Sequence, residues 1–307
     1  MSKAIQKQNK SNVFYGYLMV IAAFFWSGAF IAGKFSVQEF PVFSLTFYRF
    51  LFASMIIFLI LIKTEQNWKI GREDLKTFLI LAIIGMIGYH IFFFLALKYT
   101  SPVNASLIGA INPIITTILS FIFLKEVIKI KNVVAIVLSF SGVALIITNG
   151  KWQVLKSLSF NIGDLLMIIG VICWASYAIL SKKALIKYSP LKVTSYAFLF
   201  CAILLIPMVI LEKPWVYIPD TSLNGWLSIF YMSFFASVIG YLIHQIAIKN
   251  IGPSRSSLYI NLVPLFSMIL AYFFLHESIS IIKLIASLLI IIGVLINIGV
   301  FFPDNKE

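Results

Sequence analysis

Several residues able to do chemistry lie inside long apolar runs of this chain: Trp26, Arg49, His90, Trp174 and His244. An indole N–H or an imidazole in an apolar medium needs a partner, so each must face protein or a cavity. The chemistry open to them is stacking, cation–π contact, hydrogen bonding and, for an imidazole, proton transfer near neutral pH. Trp26 and Trp174 either wall a cavity or pack against a neighbouring helix. His90, beside Tyr89, either meets a substrate or proton or bridges two helices. His244 and Gln245 follow Tyr241 near the inner end of their run, where an imidazole says less. Cys173 and Cys201 sit in apolar runs as reduced core residues, and no Cys/His spacing suits a metal. No P-loop, H-E-x-x-H or G-x-S-x-G occurs, so no cofactor, metal site or hydrolytic activity is expected.

The elements that carry these residues must be membrane helices. Of 307 residues, 61% are hydrophobic and only 11% charged, against about 25% charged in soluble domains. Apolar runs of spanning length number ten: about 14–34, 43–62, 75–97, 103–124, 132–149, 163–181, 192–211, 225–248, 255–275 and 281–302. The first is long, follows a basic polar start and has no A-x-A site, so it reads as a retained helix. With the N-terminus inside, 17 Lys and Arg fall on the inner side and six on the outer, with Arg49 within a span. That bias predicts both termini inside.

The chain repeats itself. Trp26, Lys34 and Pro41 match Trp174, Lys182 and Pro190. Pro102 and Pro113 match Pro253 and Pro264, Glu126 matches Glu277, and Gly142 matches Gly293. The offset drifts only from 148 to 151. Five helices per half is an odd number, so the second half, 163–302, must enter from the side opposite to the first, 14–149. The expected fold is all-α, ten transmembrane helices in two inverted-topology repeats. Two like halves of opposite orientation can exchange shapes, which is the logic of alternating access around a midplane site.

Depth then selects the site. At 1.5 Å per residue, Trp26 lies roughly 18 Å and Trp174 roughly 16 Å into their helices, near the middle of a core about 30 Å thick. Asn112 and Pro113 are central in the fourth run, and Asn261 and Pro264 in the ninth. Each proline frees a carbonyl four residues back, Ile108 or Ile260, and small residues precede it, so these helices either gate the two ends or simply pack closely. The expected substrate cavity is Trp26, Tyr89, His90, Asn112, Trp174, Tyr241 and Asn261. Lys34 and Arg49 either snorkel outward or form an electropositive outer vestibule. Glu39, Glu126, Asp164, Glu212 and Glu277 fall at helix ends or in loops, which argues against a carboxylate proton relay. His90 is then the one well-placed group for proton coupling.

Together these features resemble the EamA family of the drug/metabolite transporter superfamily: Trp26 to Lys34, Pro41, Arg49-Phe50, Asn112-Pro113, Glu126 and Gly142, then Trp174 to Lys182, Pro190, Pro264, Glu277 and Gly293. The resemblance covers about 14–302. It implies a ten-helix bundle with a central cavity lined by helices 1, 3, 4, 6, 8 and 9, in a bacterial inner membrane, exporting amino acids or related small metabolites. Two departures stand out. Lys125 and His276 precede the glutamates where the family often has glycine, and Phe198 stands where the second half would repeat Arg49. The expected partners are a small-molecule substrate and the lipid bilayer, with no nucleic acid. Rival readings are efflux of lipophilic cations, a membrane enzyme acting on a lipid-linked substrate, and a scaffold protein.

Overall fold

Apolar runs surrounded by lipid must bond their own backbone, and a helix does so within one segment. In the computed structural model, which describes residues 3–99, 108–148, 150–156, 161–275 and 280–298, the long segments are all helical. They are α1 (Lys3–Glu39), α2 (Val42–Thr64), α3 (75–99), α4 (Asn112–Leu124), α5 (Ile130–Thr148), α6 (Ile162–Ala184), α7 (Pro190–Leu211), α8 (223–251), α9 (253–275) and α10 (Ile281–Ile298). Short helices Trp152–Lys156 and Pro214–Tyr217 lie in connections. Six segments are long and apolar enough to cross a membrane: α2, α3, α5, α6, α7 and α8. Val13–Ala29, Asn112–Leu124 and Ile281–Asn297 are shorter apolar helices. Met55, Leu59, Phe121 and Leu288 on the outside are all more than half exposed, an apolar surface suited to lipid.

Three helices are irregular. α3 holds a π-helical segment, Leu81–Gly88, and α8 another, Met232–Ile239. The two are repeat mates at an offset of 151. α9 begins as Pro253–Ser257, passes through a 3-10 turn, Leu258–Asn261, and resumes as Leu262–Leu275. Pro113 stands at the second residue of α4 and Pro264 at the third of Leu262–Leu275. Pro113 therefore occupies a first turn, where proline costs no helical bond, whereas Pro264 lies within α9, just after its 3-10 turn. The Ile108 carbonyl accepts the Ile111 N–H at 3.1 Å, closing a turn before α4. Ser106 and Pro102 lie outside the described residues.

Packing follows the repeat. α2 lies along its mate α7, and α5 along its mate α10; α1 packs on α8 and α9, as α6 does on α3 and α4. Gly142 and Gly293 make the α5–α10 crossing close. A Cβ on Gly142 would meet the Ala286 carbonyl oxygen at 2.6 Å, and one on Gly293 the Ala135 carbonyl oxygen at 2.7 Å. Small residues allow such backbone approach.

At one end of the α2–α7 pair, Glu212 accepts from the Ser44 amide at 2.7 Å, the Ser44 hydroxyl at 2.5 Å and the Phe43 amide at 3.2 Å. At the other, Glu65 accepts from the Ser189 hydroxyl at 2.5 Å. Glu65 and Glu212 each follow their helix; Glu212 grips the first turn of α2 and Glu65 the serine that caps α7. Lys125 ends α4 in the left-handed region at φ 55°. The turn a glycine would make is thus kept by a lysine, at a cost of about 1 kcal/mol. His276 lies outside the described residues.

Candidate functional site

The helices converge on a cluster of rings. Trp26 of α1 and Trp174 of α6, repeat mates, meet edge to face with centroids 6.0 Å apart and planes at 87°. His90 of α3 and Tyr241 of α8, mates at an offset of 151, meet through the tyrosine hydroxyl and His90 Nε2 at 3.3 Å. Tyr241 also lies 5.3 Å from Trp174 and 6.1 Å from Trp26, and Tyr89 packs 4.9 Å from Trp174. Two pairs of mates thus touch where the halves join.

Local helix irregularity positions these rings. The Gly240 amide bonds five residues back to Phe235, loosening the ladder where the Ala236 carbonyl accepts the Trp26 indole N–H at 3.0 Å. Gly240 leaves room for that indole, since a Cβ there would stand 2.7 Å from Trp26 Nε1. In the other π segment the Met86 carbonyl accepts His90 Nδ1–H at 2.8 Å. That bond fixes the tautomer with Nε2 as acceptor for Tyr241. Both nitrogens of His90 are therefore satisfied within the protein. The Trp174 indole N–H has no hydrogen-bond partner among the described residues.

Five expected site residues come together here: Trp26, Tyr89, His90, Trp174 and Tyr241. The described bonds of the other two lead elsewhere. The Thr116 hydroxyl donates to Asn112 Oδ1 at 3.2 Å, and Asn261 Nδ2 donates to the Ser139 hydroxyl on α5 at 2.9 Å. Lys34 lies in α1, but its side chain falls outside what is described. Arg49 turns inward. It is 7% exposed, its Nε donates to the Ser237 hydroxyl at 2.9 Å, and its guanidinium lies 5.5 Å from the Phe50 ring centroid. Ser237 is the fifteenth residue of the 29 in α8, so the guanidinium reaches the middle of the bundle rather than its outer rim.

His244 was the residue sequence reasoning undervalued. It is 1% exposed, stacked on Trp174 at 5.3 Å with planes 11° apart, and edge-on to Trp26 at 5.5 Å. Neither of its ring nitrogens has a partner among the described residues. Beside it, Gln245 donates to the Tyr177 hydroxyl at 2.7 Å and to Ser181 at 3.1 Å, while its own Oε1 is unpartnered. The signal was available: Tyr241 and His244 stand three apart, on one helix face. Among the described residues, no three His, Cys, Asp or Glu side chains gather as a metal site.

Comparison with known proteins agrees with this architecture. Residues 14–148 and 161–299 each match the EamA-like transporter family. The chain is 37% identical to the uncharacterized transporter YyaM of Bacillus subtilis, over 92% of this chain and 93% of that one. It is 31% identical to an uncharacterized transporter of Archaeoglobus fulgidus, over 90% and 94%. A solved crystal structure, 20% identical, superposes with a TM-score of 0.76 over 94% of this chain and 96% of the other, which speaks to the fold alone. With both halves of the chain matched and two such relatives, the chain belongs to the EamA-like transporter family of the drug/metabolite transporter superfamily and is a multi-pass protein of the inner (plasma) membrane.

Proposed function

We propose that this membrane transporter is a secondary carrier of small polar metabolites, amino acids foremost, exporting them by alternating access. In this reading the chain crosses the membrane ten times with both termini inside. Its two repeats, 14–149 and 163–302, are inverted relative to one another. The observation that carries the reading is the meeting of mates. Trp26 touches Trp174 and His90 bonds Tyr241 at the seam between like halves, which is where a carrier built of inverted repeats holds its cargo. Ring faces suit apolar side chains and bound cations alike. A buried guanidinium beside those rings repels lipophilic cations and disfavours their efflux.

The test is counterflow of a panel of labelled L-amino acids in proteoliposomes. Saturable exchange of one class is expected, with the initial rate falling about tenfold in Trp174→Ala, a loss typical of a buried aromatic anchor. No exchange of any amino acid would sink the substrate class. Exchange unaffected by Trp174→Ala would move the site away from the seam.

A further inference from the structure

Arg49 has a side chain that the protein itself does not complete. Its Nε is committed to Ser237 and one face covers Phe50. No described carboxylate lies within ion-pairing distance. Six of the described acidic side chains are occupied at helix ends: Glu39 with Ser222, Glu65 with Ser189, Glu126 with Ser254, Glu212 with the first turn of α2, Asp74 with Lys187 and Asp164 with the Asn161 amide. A guanidinium stays charged at any working pH, and a buried charge without a partner is costly. The repeat has no use for it either, since Phe198 takes the equivalent place and packs on Phe50 at 4.9 Å. One half of a symmetric seam therefore carries a cation that the other lacks.

We propose that Arg49 receives a carboxylate on the transported molecule, so that the carrier takes carboxylic acids, zwitterionic amino acids included, and rejects amines that lack the acid group. This deepens the transport reading above and rests on it. With Nε held by Ser237, the two Nη groups are the free edge of the fork, and that edge matches the two oxygens of a carboxylate. Ser237 fixes the fork at the level of the seam. The rings run on from it: Phe50 lies 6.3 Å from Tyr241, which adjoins Trp174, which stacks on His244. A carboxylate at one end would leave the apolar body of the molecule against those rings.

The experiment is competition in the same counterflow assay. The amino acid exchanged by the wild-type protein is challenged with its decarboxylated amine and with its carboxamide at tenfold excess. Neither is expected to compete. Arg49→Gln should raise KM about tenfold or more with kcat little changed, as loss of a charge-assisted fork requires. Arg49→Lys, which keeps the charge and loses the fork, should fall between, and monodisperse elution of both variants shows that they fold. An amine that competes as well as the acid overturns the assignment while transport stands, and so does an unchanged KM in Arg49→Gln. If no amino acid is exchanged, the amino-acid reading fails first. Lactate, succinate and benzoate are then set against choline and tetraphenylphosphonium. Exchange of the carboxylates alone supports Arg49 as receptor; exchange of the cations, or of nothing, overturns it.

Discussion

His244 sits between two tryptophans with both ring nitrogens unpartnered. Leaving a buried polar group unsatisfied costs about 1–3 kcal/mol, so the imidazole weakens this conformation. A phenyl ring would keep the stack and remove that cost. His244→Phe is therefore expected to raise the unfolding temperature by a few degrees while slowing counterflow several-fold, read by fluorescence-detected size exclusion after heating and by initial rates. A stabilised variant with unaltered transport would make His244 a packing residue only. The sequence announced Trp26 and Trp174 through the repeat and through depth along a helix, and Tyr89, His90 and Tyr241 as an imidazole and its neighbouring rings inside apolar runs. It concealed His244 because α8 is longer than its apolar run. Seven residues follow His244 in that helix, so an imidazole expected near the inner rim lies deeper. Arg49 was legible as a charge in a span, but its direction depends on Ser237, 188 residues away.

Among the elements, the described helices fall on the apolar runs, six of them long and apolar enough to span, because hydropathy and turn residues act locally. Their irregularities do not. Nothing in "LAIIGMIG" or "MSFFASVI" departs from an apolar helix, yet each is π-helical and ends within two residues of a ring of the seam. Such segments often mark functional sites, and here their backbone carbonyls at Met86 and Ala236 bond His90 and Trp26. The α5–α10 crossing is half legible. The repeat pairs Gly142 with Gly293, but only the packed helices show that each meets the backbone opposite. Gly142→Val would drive a branched side chain into the Ala286 carbonyl oxygen and the Ile290 side chain. Overpacking of this kind costs about 1–3 kcal/mol, so the variant should unfold at lower temperature than wild type. Gly33→Val is the comparison: a Cβ there meets only the tip of Met232, at 3.9 Å. Equal unfolding temperatures for the two would show that α5 and α10 separate easily.

At the scale of the whole molecule, a twofold relation between halves organises both the site and its supports. Glu65 and Glu212 grip opposite ends of the α2–α7 pair, so neither end of that pair parts without losing a part-buried hydrogen bond. In the proposed carrier such a pair would serve as a spine, and the rearrangement that exposes the seam would fall to the helices packed around it. The relation is useful to a carrier only if the membrane sees the halves upside down. That can be measured at equivalent connections. Gln66 follows α2, Asp220 follows α7, and both are exposed. In a background with Cys173 and Cys201 replaced by alanine, Asp220→Cys should react with a membrane-impermeant maleimide on intact cells. Gln66→Cys should react only after permeabilisation, as the 17-to-6 distribution of basic residues predicts for its loop. Labelling of both from one side would mean that the repeats are parallel. A parallel pair would not interconvert by exchanging the shapes of its two halves, and the symmetry argument that places the passage at Trp26 and Trp174 would fall.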